Sequence, residues 1–201
     1  ALLGSPSPTN VARGQGFRSP YSASTVGWWK NEEDLRRFTG SVRADYTPFA
    51  WLSFNAVAGL DQASRFERSI VAPPGLPGGA FAEGFREQYR TQEQEITSNL
   101  NGTLTRDLSG ALRSTTAAGV QYNESTFDWT YVAGENLAPG TKSAATASDV
   151  AEAYGQNKLF GVYVSQQFGI ADRLFLTAAL RGDQNSAFGQ NFGVAYYPRL
   201  G

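Results

Sequence analysis

The chain has 201 residues, with 17 basic and 18 acidic side chains and a net charge of -1. That length fits one or two domains, and the neutral balance excludes the basic stripe of a general nucleic-acid binder. With no Cys and no His, disulfide frameworks, thiolate metal sites and the Ser-His-Asp, Cys-His and His-Glu-x-x-His chemistries are excluded within this chain, leaving only carboxylate chemistry open. No catalytic residue, metal site or cofactor is singled out in the chain.

No window approaches the roughly 18 apolar residues of a membrane-spanning helix. The opening "ALLGSPSPTN" lacks an initiating Met and a charged leader region, as expected of an interior piece of a longer protein. Residues 1–34 read as an irregular loop rich in Ser, Pro, Gly and Asn. Within it "NEEDLRR" suggests a helical turn, with Asn31 as cap and Glu32, Glu33 and Asp34 in a solvated first turn.

A period of two then begins. In 36–46, Phe38, Val42, Ala44 and Tyr46 alternate with Thr39, Ser41, Arg43 and Asp45. In 51–62, Leu52, Phe54, Ala56, Ala58 and Leu60 oppose Ser53, Asn55 and Asp61, with Val57 breaking the pattern. A long segment follows to about residue 90, and its Pro and Gly cluster at 73–79 cannot lie in a central strand. In 93–105, Ile96, Leu100 and Leu104 oppose Thr97, Asn99, Asn101 and Thr103. In 112–125, Leu112, Ala118, Val120 and Tyr122 oppose Arg113, Thr115, Gln121 and Asn123. A second long loop is expected at 126–156. Strand 157–168 carries Phe160, Val162, Val164 and Phe168 on one face. Strand 173–183 carries Leu174, Leu176, Ala178 and Leu180, and ends at Arg181, Gly182 and Asp183. Strand 191–197 ends at Pro198.

Short turns near 47–50, 106–111 and 169–172 alternate with the long loops. An outer-membrane barrel sorts its connections this way, and strands of about ten residues suit a tilted bilayer crossing. Tyr46, Phe49 and Trp51, then Phe168 and Phe175, then Tyr196 and Tyr197 gather beside short turns, as an aromatic girdle would. The fold class expected is all-β: an antiparallel up-and-down meander of about seven long strands within a larger transmembrane β-barrel. A soluble antiparallel sheet with one face on a core predicts the same alternation, but not the sorting of the connections.

On this reading the polar face meets a wet lumen and comprises Arg43, Asp45, Asn55, Asn99, Asn101, Arg113, Gln121, Asn123, Arg181 and Asp183. Trp129 and Tyr131, in the second long loop, are the best candidates for ligand contact, because exposed aromatics stack on sugars or anchor peptides. Packing of the loop on itself explains them equally well, and the same choice applies to Trp28 and Trp29. Arg181-Gly182-Asp183 spells an adhesion tripeptide but is more simply a strand end. Asn101-Gly102-Thr103 and Asn123-Glu124-Ser125 match glycosylation acceptors by chance. Asp183, Gln184, Asn185 and Asn191 lack the ligand loop that Ca²⁺ needs.

The stretch "LFGVYVSQQFGIADRLFLTAALRGDQNSAFGQNFGVAYYPRLG" resembles the C-terminal barrel region of SusC/RagA-like TonB-dependent transporters. In that family a strand pair ends in an Arg-x-Asp-Gly-Ser-Ser-x-Phe-Gly pattern, followed by a Phe-Pro-Ser element. The counterparts here are Arg181, Asp183, Ser186, Phe188 and Gly189, then Tyr197-Pro198. "RFTGSVRADYTPFAWLSFNAVAGLD" resembles the family's hairpin with a Pro-containing turn. Gln184 and Asn185 depart from the pattern where Gly and Ser are usual. The resemblance implies a segment of a roughly 22-stranded barrel in a bacterial outer membrane. It implies import of large nutrients, such as oligosaccharides or peptides, without enzymatic activity. The implied partners are outer-membrane lipids, the remaining barrel and plug, a surface lipoprotein lid and TonB, and no nucleic acid. Two alternatives stand beside it: a soluble all-β carbohydrate-binding module, and a passive porin or adhesin barrel.

Overall fold

A computed structural model describes residues 28–72, 75, 81–140, 143, 147–188 and 193–201. Seven strands form one sheet in sequential order. They are β1 (Trp29–Phe49), β2 (Leu52–Val71), β3 (Phe85–Ser109), β4 (Leu112–Glu135), β5 (Ala147–Ile170), β6 (Leu174–Asn185) and β7 (Ala195–Leu200), with a 3₁₀ turn, Ser186–Phe188, after β6. Every neighbour in space is a neighbour in sequence, so the expected antiparallel meander is the observed topology.

The strands overrun their expected ends. The helical turn expected at Asn31 is instead strand, because its charges find partners on β2: Glu32 pairs with Arg68, and Glu33 lies 3.6 Å from Arg65. Cross-strand ion pairs stabilise an extended ladder that a capped helix would forgo. The loop expected at 126–156 shrinks to 136–146, since β4 runs to Glu135 and β5 starts at Ala147. Trp129 and Tyr131 therefore stand on a strand. In 126–133 the period of two persists, but its apolar residues, Phe127, Trp129, Tyr131 and Ala133, move to the odd positions, so a count kept on the even face of 112–125 loses the strand there. The 73–79 cluster apart from Gly75, and Gly189 and Asn191, lie outside the described residues.

Strand β7 passes through Pro198 rather than stopping there. Gly201 and Thr177 exchange both backbone hydrogen bonds, at 2.9 and 2.7 Å. The alternation of an antiparallel ladder then leaves Pro198, opposite Leu180, at a position whose nitrogen points away from β6. A proline costs no bond to that neighbour there.

The chain divides into two compact units. One comprises Ala1–Arg36, Ser64–Thr91 and Asp128–Ala153; the other comprises Arg37–Ala63, Gln92–Phe127 and Tyr154–Gly201. The second, the wall unit, holds none of the buried hydrophobic residues: Val71, Phe85, Ala133 and Leu137 all belong to the first. Its even-numbered apolar rows stand open instead, with Phe38 at 62%, Val42 at 72% and Leu176 at 50% exposure. A soluble sheet would cover such a face with a second layer, and none exists among the described residues. The β5–β6 register sets Val164 beside Leu180, Phe168 beside Leu176 and Ile170 beside Leu174 on this face.

The apolar band has polar ends. Past Tyr122 and Phe160 it gives way to Glu124, which accepts a hydrogen bond from Gln156 at 2.7 Å and lies 3.9 Å from Lys158. Within the band, Gln166 donates to Ser114 at 2.9 Å and accepts from Thr116 at 2.5 Å. These side chains satisfy one another, as polar groups facing hydrocarbon must.

Candidate functional site

The odd-numbered positions of the wall unit carry a polar row built from short cross-strand links. On β1 and β2, Arg43 donates to Asp45 at 2.9 and 3.2 Å, and Asn55 donates to the same carboxylate at 2.7 Å. On β3 and β5, the Tyr163 hydroxyl donates to Asn101 at 3.0 Å. On β4 and β6, Arg181 donates to Asp183 at 2.8 and 2.9 Å and to Gln121 at 3.0 Å. Arg113 donates to Asp107 at 2.7 Å. Asn99 makes no side-chain hydrogen bond among the described residues, and the Asn123 Oδ1 is buried without a partner. The ten residues thus form several separate clusters along the strands rather than one centre. Sequence reasoning missed Tyr163 and the Arg37–Asp61 pair, in which Arg37 Nε donates to Asp61 at 3.0 Å. Asp61 already stood on the polar parity, and the same count carried back to Arg37 puts its partner there too.

Two glycines give this row its room. A Cβ at Gly119 would lie 2.4 Å from Asn101 Oδ1 and 2.6 Å from Tyr163 Cε1. A Cβ at Gly161 would lie 2.5 Å from Asp183 Oδ1. Only a residue without a side chain lets those partners reach across.

At the short turns, Phe49 stacks on Trp51 with centroids 5.0 Å apart, and the Arg106 guanidinium lies 4.0 Å over the Trp51 ring. Ala171 and Asp172 both have positive φ (53° and 54°), and Arg173 donates to the Ile170 carbonyl at 3.0 Å. That is a type I′-like turn, in a three-residue connection between the paired Ile170 and Leu174.

The other unit contains a second kind of site. Val71, Phe85 and Ala133 form a small core with Trp29, Phe81 and Tyr131 packed on it. Trp29 meets Phe81 edge-on at 5.6 Å, and its indole donates to Ser69; Trp28 is exposed. Beside this core Tyr89, Trp129 and Tyr131 make a three-ring platform. Tyr89 lies 4.7 Å from Tyr131 and 6.2 Å from Trp129, and the last two stack at 6.2 Å with planes 4° apart. The strands, not a loop, hold Trp129 and Tyr131 two residues apart on one face. A groove of about 450 Å³ opens alongside, lined by Asn31, Glu33, Glu67, Ser69, Glu87 and Tyr89 among others. Burial, and then the nearby Glu87 carboxylate, push the Tyr89 and Tyr131 phenols above their ordinary value.

A family model described as TonB dependent receptor-like, beta-barrel matches residues 2–201. No curated protein matches this sequence. Among solved structures, the RagAB peptide transporter is similar at a TM-score of 0.77 and 16% identity, over 87% of this chain and 20% of that one. The RagAB peptide importer in its closed-closed state matches at 0.77 and 17% identity, over 92% of this chain and 21% of that one. Its open-open state matches at 0.74 and 16% identity, over 87% and 20%. At such identities the likeness is one of fold, and this chain spans about a fifth of those chains. With the single sheet, the uncovered apolar face and the polar parity opposite it, the family match places the chain in the bacterial outer membrane. The chain belongs to the TonB-dependent receptor-like β-barrel family.

Proposed function

We propose that this chain forms wall and outer-side strands of a TonB-dependent outer-membrane transporter that imports large nutrients, such as oligosaccharides or peptides. The observation that carries this reading is the division of the wall sheet into an open apolar parity and a hydrogen-bonded polar parity. Such a sheet separates hydrocarbon from water. The polar row, Arg43, Asp45, Asn55, Asn99, Asn101, Arg113, Gln121, Asn123, Arg181 and Asp183, then lines the lumen or faces a plug. Its side chains are held by neighbours rather than converged on a reacting atom, which supports a conduit and not an enzyme. Trp129 and Tyr131 contribute to ligand contact from a strand. The RagAB structures are named as peptide transporters, which favours peptides between the two cargo classes. The remaining barrel, a plug, a surface lipoprotein lid and TonB complete the working machine.

The test is uptake of labelled oligopeptides and oligosaccharides by cells with and without the intact gene, before and after collapse of the proton gradient. Gene-dependent, gradient-dependent uptake of one class is the expected result. Uptake that survives gradient collapse would indicate a passive pore instead.

A further inference from the structure

The groove beside the three-ring platform is charged in an unbalanced way. Four glutamates line it: Glu32, Glu33, Glu67 and Glu87. Arg68 neutralises Glu32, and Arg65 lies 3.6 Å from Glu33. Among the described residues neither Glu67 nor Glu87 makes an ion pair, and the Tyr89 hydroxyl stands 3.5 Å from Glu87. The two carboxylates stand on the adjacent strands β2 and β3 and line one groove. The aromatic platform adjoins them through Tyr89, which lines the groove and packs on both Tyr131 and Trp129. All three rings are only half-buried. Their faces carry negative quadrupole charge, so rings and carboxylates favour the same partner, a positive one.

The carboxylates are not gathered for a metal ion: among the described residues no three acidic groups converge to hold one. A partner that meets both the spread carboxylates and the rings must be extended and organic. A guanidinium satisfies both demands. It is flat, stacks on aromatic faces, stays charged at all working pH and binds carboxylates through paired donors.

We propose that this groove is a binding subsite for arginine side chains of oligopeptides, with Glu67 and Glu87 receiving the guanidinium and Tyr89, Trp129 and Tyr131 stacking against it. The proposal rests on the transporter reading and narrows its cargo.

The test is calorimetric titration of the intact outer-membrane protein, purified in detergent, with three pentapeptides. One carries two arginines, one carries citrulline in their place, and one carries glutamate. Citrulline keeps the shape of arginine and removes its charge. The arginine peptide should bind about tenfold more tightly than the citrulline peptide, the effect of roughly one exposed cation–π contact joined to a charged hydrogen bond. The pair E67Q and E87Q should abolish that preference while leaving citrulline binding within about twofold. Heat-modified gel mobility confirms that the variant barrel is folded, and Tyr89→Phe serves as a milder second variant that keeps the ring and should retain the preference. Equal binding of arginine and citrulline peptides, or a preference that survives E67Q/E87Q, would overturn the subsite. If cells still take up neutral peptides in a gene-dependent manner while no charge preference is seen, the subsite fails and the transporter reading stands. If neither peptides nor oligosaccharides are taken up in a gene-dependent manner, the transporter reading has failed as well.

Discussion

Gly119 shows how one residue position governs the polar row. Asn101 and Tyr163 meet at 3.0 Å across the space where its side chain would be, and the Leu100 carbonyl lies 2.9 Å from the same point. The rings and amides can shift, but a backbone carbonyl held in the sheet cannot. Gly119→Ala should therefore break the Asn101–Tyr163 bond and cost about 1–3 kcal/mol, as overpacking does. A Cβ at Gly155 would meet nothing within 4 Å, so Gly155→Ala should be neutral or slightly stabilising. The two unfolding midpoints in urea, with the intact protein in micelles, check this directly, and equal midpoints would refute the steric account. The residues of the row were legible from alternation alone, because period two states which face a side chain takes. Their partners were not, since register between strands depends on turn geometry and on glycines that admit a neighbour.

At the scale of the element, the β5–β6 hairpin carries a stored cost. Type I′ needs positive φ at both central residues, and Ala171 is a poor choice for it: an L-residue with a Cβ pays roughly 1–2 kcal/mol in that region. Asp172 tolerates the conformation better. Replacing the pair by Asn-Gly, with A171N and D172G, should stabilise the hairpin by about 1 kcal/mol. The Ala171 amide bond to the Ala111 carbonyl, at 2.7 Å, survives the change. A higher unfolding midpoint is the expected reading, and an unchanged or lower one would contradict the turn assignment. The turn itself was readable from "GIAD", but the strand lengths were not. The reading followed apolar residues at even positions, so it stopped where that face turns polar, at Arg36, Gln62 and Glu124. The ladder continues there on backbone bonds and on pairs such as Glu32–Arg68. Trp129 and Tyr131, singled out together, stack on each other from β4. Their platform partner Tyr89 was hidden, because its strand was expected to begin only at residue 93.

For the whole molecule, everything turns on which solvent each parity of the wall unit meets. The sheet has no buried hydrophobic residue in that unit among those described, and its apolar rows are charge-free over about a bilayer's thickness of strand. The absence of Cys in the chain allows a clean measurement of that orientation. Single cysteines at consecutive positions 162–165 and 176–180 of the intact protein, in lipid vesicles, would carry nitroxide labels. Their collision rates with dissolved oxygen, which concentrates in lipid, and with a water-soluble nickel chelate would then be compared. The expected result is a strict period of two, with labels at Val162, Val164, Leu176 and Leu180 favouring oxygen and labels at Tyr163, Ser165 and Ala179 favouring nickel. Nickel accessibility on both parities, or loss of the alternation, would contradict the placement of this sheet between lipid and water.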